Sequence, residues 1–116
     1  MPRVLGIDPG SQFLGWAVLD VDKGKAKYIA SGCLKLKSSK PLFDRLQAIS
    51  EFIFELVKAY QPQHLGIEKQ YVGKNINSAL TLGKVEGVCL GISMLLNMTC
   101  NEYQPTTIKK SGYWEW

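Results

Sequence analysis

Two short apolar runs, each ending in a carboxylate, constrain this chain most. The first, Val4-Leu5-Gly6-Ile7-Asp8, runs into the turn signal Pro9-Gly10. The second is His64-Leu65-Gly66-Ile67-Glu68. Between them, Pro41 to Tyr60 carries Leu42, Leu46, Ile49, Ile53, Leu56 and Tyr60 at helical spacing, one apolar face. A strand, a crossover helix and a second strand can build a parallel pair. Asp8 and Glu68 then project from adjacent strand ends toward one point. Asp before Pro-Gly also serves simply to open a turn. The second acid at the matching strand end favours a shared site over that simpler reading. Paired carboxylates suit a hard cation such as Mg²⁺, which takes oxygen ligands and keeps several waters.

The rest of the chain reads as alternating elements. Arg3–Asp8 is a first strand and Leu14–Asp20 a second, followed by a hairpin turn at Asp22-Lys23-Gly24-Lys25. Lys27–Lys35 is a third strand, completing an antiparallel meander. Ser38 or Ser39 is expected to cap the first helix, with Pro41 in its first turn and Gln61-Pro62 after its end. His64–Glu68 is the fourth strand and Thr99–Tyr103 the fifth. A second helix runs from Asn77 to about Leu96, capped by Asn77 or Ser78. On it Ala79, Gly83, Gly87 and Gly91 recur every four residues. Each glycine costs a helix about 1 kcal/mol relative to alanine, so something is expected to approach this ridge closely. The domain's own sheet and a second copy of the chain are both candidates. Trp16 is expected in the core, and His64 has no catalytic role.

A chain of 116 residues supports one small domain with a real core. Its net charge of +4 permits a nucleic-acid partner without requiring one. Cys33, Cys89 and Cys100 are odd in number and lack metal-type spacing, which fits a reducing, cytoplasmic compartment. The first strand begins at once, leaving no room for a signal peptide. The apolar stretch Val88–Met98, interrupted by Gly91, Ser93 and Asn97, falls short of the ~20 residues a membrane span needs, so no membrane partner is expected.

An ordered set of motifs resembles the RuvC family of Holliday junction resolvases. They are Ile7-Asp8-Pro9-Gly10-Ser11, Ser31-Gly32-Cys33, Ile67-Glu68, Lys74-Asn75, Ser78-Ala79-Leu80, Leu82-Gly83 and Gly87. Order and spacing agree up to Lys110. The resemblance implies an α/β, ribonuclease H-like fold with a five-stranded mixed sheet, in which strands one and four are neighbours. It also implies a homodimer, branch-migration helicase partners, and Mg²⁺-dependent cutting of four-way junction DNA in recombination and repair, with Mn²⁺ as a substitute ion. Asp8 and Glu68 match the first two of the family's four catalytic, metal-binding acids. Tyr71 matches a position, usually aromatic, that contacts unpaired bases, where stacking is worth ~1–3 kcal/mol. Lys74 and Asn75 fall in the polar loop expected to touch DNA. Lys109 and Lys110 could touch its backbone or could simply be solvated.

The family pattern breaks near the C-terminus. Family members continue into further helices, the last of which carries two more acids. After Glu68 only Glu86, Glu102 and Glu115 remain, and none matches that motif. Residues 1–110 read as an incomplete nuclease domain and 111–116 as a tail foreign to the family. Gly112-Tyr113-Trp114-Glu115-Trp116 is encoded by GGN TAY TGG GAR TGG. Shifted by one nucleotide, that string permits Val-Ile-Gly-Asn-Gly, close to the family's Val-Val-Gly-x-Gly, so a frameshifted tail is expected. Asp8 and Glu68 supply only part of a two-metal cage, so the reading is a RuvC-like endonuclease deficient in cleavage. Two other readings are a DNA-binding or dimerising remnant without chemistry, and an actin-like or sugar kinase ATPase. The ATPase reading needs a Gly-Thr phosphate loop that Asp8-Pro9-Gly10-Ser11 matches only partly.

Overall fold

A computed structural model describes residues 2–69 and 75–103. Tyr71, Lys74 and the tail from residue 104 lie outside the described residues. The elements are β1 (Arg3–Asp8), β2 (Phe13–Asp22), β3 (Lys25–Lys35), α1 (Leu42–Tyr60), β4 (His64–Glu68), α2 (Ile76–Leu95) and β5 (Thr99–Tyr103). They form one five-stranded sheet in the order β3-β2-β1-β4-β5. β1–β2 and β2–β3 are antiparallel, while β1–β4 and β4–β5 are parallel. This is the expected mixed sheet, with the first and fourth strands adjacent.

The β2–β3 hairpin turns at Lys23 and Gly24, both at positive φ (49° and 79°), as a two-residue turn matched to strand twist requires. The pairing of β2 with β3 slips between Val18 and Leu19.

Alternation along the strands sorts the side chains onto two faces. Leu5, Ile7, Leu14, Val18, Leu65 and Ile67 are fully buried in one cluster with Ile49, Ile53 and Leu56 of α1 and Val85 and Cys89 of α2. Both helices therefore cover the same face of the sheet. Burial pushes the Cys89 thiol up to about 12. Trp16 pairs with Ile7 on the helix side, stands edge-on to Phe52 with ring centroids 6.0 Å apart, and tilts against Tyr60. The expectation that it packs in the domain holds.

Three expectations need correction. Neither Ser38 nor Ser39 caps α1: Pro41 is the N-cap and offers no side-chain hydrogen bond. The serines are taken up by a preceding turn, in which the Lys40 N–H donates to the Lys37 carbonyl at 3.0 Å. Helix α2 starts earlier than expected, and its cap is Asn75, whose side-chain oxygen accepts from the Ser78 N–H at 3.2 Å. The glycine ridge does not pack on its own sheet. Gly83, Gly87 and Gly91 are exposed, and among the described residues a Cβ at any of them meets nothing within 4 Å. At 100° per residue they fall in one stripe with the exposed Ile76, Leu80 and Met94, opposite the buried Val85, Cys89 and Ser93. Helix α2 is thus apolar on two opposite sides. By length and composition it reaches the level of a membrane span, unlike the shorter stretch considered above, yet one side of it is committed to the domain core.

Arg3 fastens the lower end of the sheet. Its guanidinium donates to both carboxylate oxygens of Asp20, at 2.8 and 3.1 Å, and to the Tyr60 carbonyl at the end of α1, at 2.8 Å. Its backbone N–H donates to Gln63 Oε1 at 2.7 Å, and the Gln63 N–H returns to the Arg3 carbonyl at 2.9 Å. The hydrogen bonds from Arg3 hold the Asp20 carboxyl below its ordinary value of 3.8. A carboxylate with a lowered folded-state value adds stability that is complete above its unfolded value and is lost as pH falls through the folded one. Asp20→Asn should therefore lower the urea midpoint at about pH 7, and the gap to wild type should close as acid takes the pH below 3.8. A gap that stays constant down to about pH 2.5 would show that the ion pair contributes nothing.

Candidate metal centre

The parallel register places the two acids side by side. Val4 pairs with His64, Leu5 with Leu65, Gly6 with Gly66 and Ile7 with Ile67. Asp8 and Glu68, the next residue on each strand, close β1 and β4 together. Because Ile7 and Ile67 point to the helices, Asp8 and Glu68 leave the sheet on the opposite face. Asp8 is half-buried, whereas Glu68 is only 5% exposed. Keeping such a carboxylate ionised is costly unless it is hydrogen-bonded or paired with positive charge.

The turn after Asp8 is closely built. Pro9 is buried, and a Cβ at Gly10 would collide with the carbonyl oxygen of Phe13. Only glycine lets the chain double back this tightly. Arg45 of α1 donates to the Ser11 carbonyl at 2.9 Å and to the Lys40 carbonyl at 3.2 Å. It thus braces the Asp8–Ser11 turn from the helix side. No sequence motif marked Arg45, because the contact links residues 34 apart and depends on where the turn falls.

On the open face, Asp8 pairs with Gly15 and Gly15 with Cys33. Small residues here leave an open groove of about 530 Å³ lined by Asp8, Phe13, Gly15, Ser31, Cys33 and Lys35. Phe13 is 56% exposed, and Lys35 is its cross-strand partner. Sequence reading did not single out this pair. Alternation on β2 and β3 is its only signal, since it turns both residues toward the acids.

Of the expected site residues, the structure brings Asp8 and Glu68 together. Asn75 is occupied as the α2 cap, and Tyr71 and Lys74 lie outside the described residues. Asp8 and Glu68 offer hard oxygen donors at one point, which fits a divalent cation that retains waters. Among the described residues no cluster of three or more His, Cys, Asp or Glu is gathered that could hold a metal ion.

Residues 4–112 match the family described as Crossover junction endodeoxyribonuclease RuvC. A RuvC of Dichelobacter nodosus is 42% identical over 109 residues, which are 94% of this chain and 61% of the relative. A RuvC of Saccharophagus degradans is 37% identical over 96% of this chain and 64% of its own length. The chain thus spans under two thirds of these curated relatives. The solved structure of Thermus thermophilus RuvC superposes with a TM-score of 0.80 at 26% identity, over 96% of this chain and 70% of that one. The T. thermophilus RuvC in complex with Holliday junction substrate shares the fold with a TM-score of 0.84 at 24% identity, over 95% and 69%. The α/β architecture is therefore ribonuclease H-like, as expected, and with the acids at two adjacent strand ends the chain belongs to the RuvC family.

Proposed function

We propose that this chain recognises four-way junction DNA and carries the Asp8/Glu68 half of a metal-dependent endonuclease centre acting in recombination and repair. The carrying observation is the β1–β4 register, which sets two carboxylates side by side on the uncovered face beside an open groove. Asp8 and Glu68 would hold Mg²⁺, or Mn²⁺ in its place, through carboxylate oxygens. Such an ion activates water and stabilises the leaving oxygen of a phosphodiester. Tyr71 and Lys74 take the base-stacking and phosphate-contacting roles on the strength of the family motif. Asn75, the third residue the family motif brings to the DNA, caps α2.

Asp8 and Glu68 supply only part of what two-metal cleavage needs, so a binding role without cutting is the second reading. Fluorescence anisotropy with four-way junction and duplex DNA tests both halves of the proposal. Junction binding should exceed duplex binding and fall steeply with salt, because phosphate contacts release counterions. Cleavage in Mg²⁺ or Mn²⁺ should be undetectable, and Asp8→Asn should leave binding intact. Equal affinity for duplex would sink the junction reading, and robust cutting lost in Asp8→Asn would show that two acids suffice.

The exposed stripe of α2 is proposed to seat a second copy, giving the homodimer that the family resemblance implies. A branch-migration helicase partner follows from the same resemblance, and a cytoplasmic setting is proposed from the unpaired cysteine pattern. Ile76, Leu80, Gly83, Gly87, Gly91 and Met94 form an apolar strip in which the glycines permit close backbone approach. Gly87→Leu should overpack that seam by about 1–3 kcal/mol, weakening self-association by roughly one to two decades. The circular dichroism spectrum of the monomer should not change, since none of the described residues lies against that position. Unchanged association in sedimentation equilibrium would rule out this face.

A further inference from the structure

A second groove lies on the other side of the Asp8–Ser11 turn. It has a volume of about 410 Å³ and is walled by Ser11 and Gln12 of the turn, Ser38 before α1, Arg45 of α1, and Ser78 and Thr81 of α2. Its lining combines hydroxyl and amide groups and one guanidinium with the apolar Leu82, and it contains no carboxylate among the described residues. The groove is open along its length, and Ser11 stands three residues after Asp8. Resting on the nucleic-acid reading above, we propose that this groove is a phosphodiester-binding subsite. It holds the backbone of the strand that leads to or from the carboxylate pair, with Arg45 as its cation and the serine, threonine and glutamine side chains as neutral donors.

The chemistry fits one class of ligand. Hydroxyls and amides donate to phosphate oxygens without sequence preference, and guanidinium supplies charge-assisted hydrogen bonds. A cationic ligand finds no carboxylate to pair with among the described lining residues. Arg45 already donates to the Ser11 and Lys40 carbonyls, so its charge is fixed in place before DNA arrives. Binding there would also press on the turn that carries Asp8, linking substrate position to the metal-binding acids.

Arg45 braces that turn, so its removal would confuse folding with binding. The cleaner variant is Thr81→Glu, which adds a negative charge inside the groove on a formed helix. Thr99→Glu adds the same charge at the exposed start of β5, the opposite end of the sheet. The 116-residue chain is titrated with a short oligothymidylate while backbone amides are followed by NMR. Shifts should gather at Ser38, Ser78 and Thr81 and spare Thr99. Thr81→Glu should weaken binding by roughly tenfold and lower the magnitude of the salt slope by about 0.7, the value of one single-strand phosphate contact. Thr99→Glu should do much less.

Shifts that gather elsewhere, no shifts at all, or equal losses in the two variants would overturn the subsite. Inorganic phosphate that reproduces the full response at matched phosphate concentration would also overturn it, leaving a simple anion site. A groove footprint without preference for junctions over duplex would keep the subsite and remove the junction reading instead.

Discussion

The register between β1 and β4 is the constraint on which the rest of this molecule depends. A slip of one residue would send Glu68 to the helix side and Ile67 into solvent, because side chains alternate strictly along a strand. Leu5 beside Leu65 and Ile7 beside Ile67, all fully buried, set the register from the core. The reciprocal hydrogen bonds between Arg3 and Gln63 set it from the strand starts. Arg3 also reaches Asp20 on β2 and the Tyr60 carbonyl on α1. One side chain thus joins two strands to the end of the helix that crosses between β1 and β4, and the acids line up at the far end as a consequence.

The two faces of the sheet divide the labour. Both helices pack on the face that carries Leu5, Ile7, Leu65 and Ile67, and most apolar burial lies there. The opposite face is built of small residues near the acids, with Gly6 beside Gly66 and Asp8 beside Gly15. A nearly buried Glu68 on that face does not serve apolar packing, since burying a carboxylate is costly without a hydrogen bond or an opposite charge beside it. In the proposed site a cation would join the interactions Glu68 makes there, so this acid is read as functional, while the surrounding leucines and isoleucines serve stability.

Much of this was legible in the chain itself. The seven elements follow from apolar periodicity and turn residues, and Lys23-Gly24 adopts the expected hairpin turn. Asp8 and Glu68 were readable because each ends an apolar run at a matching place. The adjacency of the first and fourth strands was legible only through family resemblance, since sheet order is set by long-range pairing that no local pattern records. Helix caps were misread for a related reason. Several polar residues precede each helix, and the tertiary position of the turn decides which of them caps. Asn75 rather than Asn77 or Ser78 caps α2. Glycine spacing marked a contact surface, but spacing alone could not say which side of α2 faced the sheet. Val85, Cys89 and Ser93 decide that by burying the opposite side. Arg45 was invisible because its partner, the Ser11 carbonyl, is a backbone atom 34 residues away.

In the proposed reading, helix α2 would tie assembly to substrate. Its buried stripe anchors it in the domain, its exposed glycine stripe is open to a second copy, and Ser78 and Thr81 in its first turns wall the proposed phosphate groove. A seam made by one helix stripe against its own copy is isologous, so it closes at two chains. In the proposed dimer the stripe would hold two carboxylate pairs and two grooves at a fixed separation about a twofold axis. A lone duplex offers one continuous path to such a pair of sites, whereas a branched four-way substrate offers two strands related by approximate twofold symmetry. Selectivity for branched DNA would then come from the spacing that α2 imposes as much as from any single contact, because each phosphate contact by itself carries no information about branching.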